Sequence, residues 1–127
     1  MERVTKEIVQ QFVSDNNFEL NATHTKLCVP IINRMYRKMK AGLRFTEIKV
    51  ADNLICDGHH RYLASRLANA KLGRVVGTKT SATRAVNWSS VTFEEKDWDT
   101  PIKIKILNEQ DAMYNNVPLE LLVEWLN

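Results

Sequence analysis

Leu54-Ile55-Cys56-Asp57-Gly58-His59-His60-Arg61-Tyr62-Leu63-Ala64 is the stretch on which the reading of this chain turns. Leu54-Ile55-Cys56 follows the turn signal Asp52-Asn53 and predicts a short buried strand. Leu63, Leu67 and Ala70 recur at helical spacing, so a helix opens just after Gly58 and runs toward Gly73. The first backbone N–H groups of a helix lack internal partners and sit at its positive end, which makes this turn a physically coherent anion site. Gly58 lets the backbone turn sharply and approach a ligand. His59, His60 and Arg61 add donors within one turn, and Arg61 can grip phosphate oxygens bidentately. Asp57 either caps the helix or helps hold a divalent ion. The bland alternative is a helix cap, a turn glycine and two surface histidines.

Working outward, Thr5 caps a first helix with Ile8, Val9, Phe12 and Val13 on one face, stopped by Asp15-Asn16-Asn17. Phe18 to Asn21 is expected as a short strand. Pro30 opens a second helix whose apolar side carries Ile31, Ile32, Met35 and Met39, whose other side carries Arg34, Arg37, Lys38 and Lys40, and whose stop is Gly42. Phe45 to Val50 alternates like a strand, and Arg74 to Thr78 reads as another. Val91-Thr92-Phe93 and the strictly alternating Ile102 to Ile106 are expected as two more strands. Pro118 starts a last helix striped by Leu119, Leu122, Val123 and Leu126. Interleaved strands and helices define an α/β (α+β) class with a small mixed sheet flanked by helices.

The chain has 127 residues, 44% of them apolar and 26% charged, the balance of one globular domain covering 1–127. Its longest uncharged apolar stretch, Leu27 to Ile32, is far too short to cross a bilayer. The opening residues show no apolar signal core, so the expectation is a cytoplasmic protein, or a domain of a secreted effector. Cys28 and Cys56 each sit in an apolar run, as buried structural thiols do. The net charge of +3 hides an asymmetry. Residues 26–84 carry thirteen Lys/Arg against three Asp/Glu, a net +10, whereas residues 94–127 carry a net −5. Such a basic middle attracts phosphates, on a nucleotide or along a nucleic acid. The acidic end, expected as a strand–helix extension over 94–127, serves as a lid, an oligomer or protein contact, or a shield over the basic cleft.

The central motif, with the helix ending Met39-Lys40-Ala41-Gly42 and the strand Thr46 to Val50 before it, resembles the signature segment of the ParB/sulfiredoxin superfamily, over about residues 18–80. Members place a Gly-x-[His/Arg]-Arg turn between a strand and a helix and bind nucleotide phosphates on it. Sulfiredoxins carry a cysteine where this chain has His59, and partition ParB proteins carry Gly-Glu-Arg-Arg. The Asp-Gly-His-His-Arg form is most similar to free-serine-kinase-type members and to uncharacterised ParB-like proteins, some described as nucleases. The resemblance implies a bound nucleoside di- or triphosphate (ATP, ADP or CTP) with Mg²⁺, Asp57 near the metal, and Gly58, His59, His60 and Arg61 on the phosphates. It also implies that Glu47, on the neighbouring strand, braces Arg61.

From the residues themselves, Glu19 and His24 are the candidate general bases. The polar loop around Lys79, Thr80 and Ser81 is placed to close over phosphates. Trp88 and Trp98 are expected in core or lid packing. His60 and Arg61 are expected to neutralise the transferring group, with a phosphate raising the pKa of His60 above about 6.5. Three functions follow: phosphoryl transfer or nucleotide hydrolysis, cleavage of nucleic acid by a nuclease or toxin domain, and DNA binding through the basic 26–84 region without catalysis.

Overall fold

A computed structural model of the chain describes residues 3–127. Helix α1 (Lys6–Asp15) starts where Thr5 accepts a hydrogen bond from the Ile8 N–H. Strand β1 (Lys26–Cys28) leads directly into α2 (Val29–Lys40), which has Pro30 in its first turn. Gly42 ends that helix at φ 98°, a conformation open to glycine at little cost. The hairpin β2 (Ile48–Ala51) and β3 (Leu54–Asp57) closes on Asp52 and Asn53, both left-handed, as a two-residue turn matched to strand twist requires. Then come α3 (His59–Ala68), β4 (Arg74–Val76), a one-turn 3-10 helix (Trp88–Ser90), β5 (Thr92–Glu94), α4 (Pro101–Asn115) and α5 (Leu119–Leu126).

The strands form two small sheets. In one, β2 lies between antiparallel β3 and parallel β4; in the other, β1 pairs in parallel with β5. The mixed α+β class read from the sequence is the one observed. Leu20, Leu27, Ile32, Ile48, Ile55 and Leu63 are fully buried between α2, α3 and the strands. Phe18, Tyr62 and Trp88 pack edge-on or stacked beside them, and the Trp88 indole N–H donates to the Leu20 carbonyl. Trp88 is thus a core residue, as expected. Leu43, Ala112 and Leu122 form a second small core under α4 and α5.

Several boundaries differ from expectation. The alternating Ile102 to Ile106 is helix, so the acidic end is a helix pair rather than a strand–helix extension. Thr100 accepts from the Lys103 N–H at 3.2 Å and Pro101 occupies the first turn, which together start a helix. The residues α4 turns inward are Ile104, Leu107, Asn108, Asp111 and Ala112, spaced by three and four, while Ile102 and Ile106 lie one turn apart on the outside. Five alternating residues were too few to separate the two periods. Phe18 to Asn21 forms no strand; only Asn21 and Ala22 make isolated bridges, to Leu54 and Val86. Helix α3 ends at Ala68 rather than near Gly73, because Asn69 adopts the left-handed cap and donates to Ser65 and Arg66 carbonyls. The strand expected over Phe45 to Val50 starts later and ends one residue further on, at Ile48–Ala51, and that over Arg74 to Thr78 is trimmed to Arg74–Val76.

Candidate functional site

The turn between β3 and α3 is built as the sequence implies, with Gly58 at φ 103°. A pocket of about 210 Å³ opens over it, walled by His24, Met35, His59, His60, Arg61 and Trp98, with Asp57 exposed at its mouth. The amides of His59, His60 and Arg61 precede the first helical hydrogen bond, from Tyr62 N–H to the Gly58 carbonyl. A helix N-terminus and its unpaired donors therefore border this pocket.

Two backbone groups fix the state of the histidines. Nε2 of His59 accepts the Thr23 N–H at 2.9 Å, and Nε2 of His60 accepts the Cys28 N–H at 3.0 Å. An imidazole that accepts at Nε2 carries its proton on Nδ1, so both rings are neutral Nδ1–H tautomers. The Thr23 hydroxyl is anchored on the Ile55 carbonyl at 2.7 Å, which ties the loop before β1 to the motif strand. His59 is only 2% exposed, and its Nδ1 has no protein partner. His24 stacks on it at 4.1 Å between centroids, and Trp98 meets His60 edge-on at 5.4 Å. Burial first, then the neighbouring His24, pushes His59 down to about 3 and His60 down to about 4. In the free protein His60 is therefore a neutral ring near neutral pH.

That depression has a consequence for stability. Both folded-state values lie below the ordinary 6.5, so the contribution of each neutral ring is complete above about pH 6.5 and is lost as pH falls toward 4 and 3. Each imidazole should steepen acid destabilisation by at most about 1.4 kcal/mol per pH unit in that window. Urea midpoints at pH 7, 6 and 5 check this. His59→Gln, which keeps an acceptor for Thr23 but cannot titrate, should lose about half of the slope; an unchanged slope contradicts the account.

The remaining candidates fall in different places. Arg61 is braced through Nη2 by the Glu47 carbonyl at 3.2 Å and the Asp57 carboxylate at 3.4 Å. The bracing group of Glu47 is thus its backbone carbonyl rather than the carboxylate, since its side-chain carbons lie against Gly73. Glu19 pairs with Arg74 at 2.8 Å, outside the pocket wall. Of the two candidate bases, the structure brings only His24 to the turn. Thr80 and Ser81 are exposed in a self-bonded loop where Thr80 N–H donates to Thr83 Oγ1 and Arg84 donates to the Ser81 carbonyl. Lys79 is tied to Asp52. Among the described residues no group of three or more His, Cys, Asp or Glu is arranged to hold a metal ion. Mg²⁺ commonly takes one or two carboxylates plus ligand phosphates, a role that Asp57 at the pocket mouth fits.

Three of the four cations on the basic side of α2 meet partners in the acidic end, and Lys40 alone of the four is exposed. Arg34 forks onto Asp97 at 2.5 and 3.1 Å and reaches Asp99 at 2.9 Å. Lys38, 4% exposed, meets Asp111 at 2.6 Å, and Arg37 donates to the Leu126 carbonyl. The acidic end thus folds back as a shield over the basic helix. These partners, and the backbone locks at Thr23 and Cys28, escaped the sequence reading; the opposite charges of the two segments were the only advance signal. No helix among the described residues is long and apolar enough to cross a membrane. Comparison with family models, characterised proteins and solved structures finds no match to this chain.

Proposed function

We propose that this protein binds a nucleoside di- or triphosphate with its phosphates at the Asp57–Arg61 turn and promotes phosphoryl transfer or hydrolysis there. The observation that carries the reading is the pair of imidazoles, His59 buried and His60 half-buried, whose Nε2 atoms are locked by the Thr23 and Cys28 amides. The lock on His60 leaves its proton on Nδ1, at a turn where the first amides of a helix N-terminus open. Donors fixed in place before a charged group arrives are what stabilising a transferring phosphoryl group demands. Asp57 would hold Mg²⁺, which when bound would neutralise charge on the phosphate oxygens. His24, the exposed imidazole of the pocket, is placed to take a proton from an acceptor or water. The order helix, Gly42, β2, turn, β3, motif, α3 supports the ParB/sulfiredoxin-like reading of the chain.

The internal pairing of Arg34 and Lys38 favours this reading over DNA binding, because two cations of the basic segment are already spent on Asp97, Asp99 and Asp111. A nuclease would use the same pocket on a phosphodiester and is separated by experiment. Thermal shift with ATP, ADP, CTP and GTP, with and without Mg²⁺, should show stabilisation that His60→Ala reduces. Metal-dependent plasmid nicking without nucleotide stabilisation would replace phosphotransfer by nuclease action. Calorimetric affinity between pH 5.5 and 8 should show no fall with rising pH from His59 or His60, which this reading keeps neutral in the free protein and in the complex alike. The phosphate's second ionisation near pH 6 should be the main remaining dependence, with binding firmer on its high-pH side where Mg²⁺ is present. Affinity highest at pH 5.5 and falling through pH 6.5, with the fall lost in His60→Gln and kept in His24→Gln, would return His60 to the role of a titrating cation.

A further inference from the structure

Helix α4 is apolar on two opposite sides. Ile104, Leu107 and Ala112 are turned toward the body of the protein, whereas Ile102, Ile106 and Met113 are 74%, 43% and 85% exposed. At about 100° per residue the last three project within about 40° of one another, forming one outer stripe about 17 Å long. The alternation Ile102-Lys103-Ile104-Lys105-Ile106 thus divides between the faces, its middle isoleucine inward and its outer two outward. Single exposed apolar residues are ordinary on a protein surface, but an aligned outer stripe opposite a buried one marks a helix covered on both sides. The charges beside the stripe are self-complementary. Lys105 and Glu109 are exposed on the same flank of it, and among the described residues neither is in an ion pair. Lys105 stands in the N-terminal half of the stripe and Glu109 in the C-terminal half.

We infer that α4 pairs antiparallel with α4 of a second copy of this chain, about a twofold axis level with Leu107 and Asn108. Ile102 of one copy then meets Met113 of the other, and the two Ile106 side chains close the centre. A twofold axis sets like flank against like flank with the chain direction reversed. Each Lys105 therefore comes almost level with Glu109 of the second copy, twice over. Parallel pairing would instead put Lys105 on Lys105 and Glu109 on Glu109, both repulsive. One short helix per partner offers less than the roughly 800 Å² a side of a standard interface, so the dimer is weak and concentration-dependent. The inference is independent of the nucleotide reading, because the stripe lies on the side of α4 turned away from α2 and the motif.

The test is analytical sedimentation of the full chain at low salt, from about 10 µM to about 1 mM. The expected result is a monomer–dimer equilibrium with nothing larger, since a twofold contact closes on itself. Ile102→Lys with Met113→Lys, both at exposed positions, should leave a monomer throughout, with an unchanged urea midpoint at low concentration. Lys105→Glu and Glu109→Lys should each weaken the dimer about fivefold, because each turns two attractive pairs repulsive. The double variant should return to the wild-type value, and an equal mixture of the two single variants should associate more tightly than either alone. A wild-type monomer at every concentration overturns the inference. So does a dimer that survives the two lysines, or one indifferent to the charge reversals. Growth beyond a dimer overturns the closed twofold pairing.

Discussion

Gly58→Ala should abolish the proposed nucleotide binding at the turn and destabilise the fold by about 2–4 kcal/mol, with roughly half from backbone strain and half from overlap. A Cβ on Gly58 would stand 2.5 Å from Ile48 Cγ2 and 2.8 Å from Arg61 Nη2. Neither neighbour is easily displaced. Ile48 is fully buried in β2, and Arg61 is braced by the Glu47 carbonyl and Asp57. The same residue sits at φ 103°, where an L side chain is strained whatever the space around it. Gly42→Ala is the matched control. Its φ is 98°, but nothing lies within 4 Å of the added carbon, so it should cost about 1 kcal/mol and leave ligand binding intact. Equal losses of stability in the two variants, read by urea unfolding, would mean that crowding at Gly58 is relieved by movement of Ile48.

How much of this was legible in advance depends on the range over which each signal acts. The β3–turn–α3 unit was, because its strand, glycine and helix are dictated by residues within one another's reach. Thr5, Pro30 and Gly42 likewise announced their helix ends through local backbone chemistry. Ile102 to Ile106 was misread because its alternation is too short to fix a period, and the Thr100-Pro101 start outweighs it. The tautomers of His59 and His60 were illegible for a different reason. They are set by amides of Thr23 and Cys28, more than thirty positions away. The charge asymmetry correctly marked the acidic end as able to meet the basic segment, but not that Arg34 would choose Asp97 and Asp99, nor that Lys38 would be buried on Asp111. A net charge says which segments attract; only packing says which cations are spent inside the molecule and which remain for a ligand.

Asp111→Ala should be the most damaging single charge removal in the acidic end, costing about 2–4 kcal/mol. Lys38 lies in α2, 4% exposed, with its ammonium 2.6 Å from the Asp111 carboxylate, itself one quarter exposed. Removing the carboxylate leaves a positive charge with little water and no counter-ion, and that desolvation is the larger part of the cost. Lys38→Met removes the charge but keeps most of the chain length and its apolar contacts, so Asp111 can turn toward solvent and the loss should be about 1 kcal/mol or less. The double variant, Lys38→Met with Asp111→Ala, should therefore be more stable than Asp111→Ala alone. The Arg34 pair should behave differently, because Asp97 and Asp99 share one guanidinium and either can hold it when the other is lost. Chemical unfolding of the three variants and of Asp97→Asn sets the order. If the double variant is as unstable as the sum of its parts, the two side chains do not act as a pair. The acidic helix would then be held on α2 by its apolar residues, Ala112 against Leu43 and Leu122, rather than by charge.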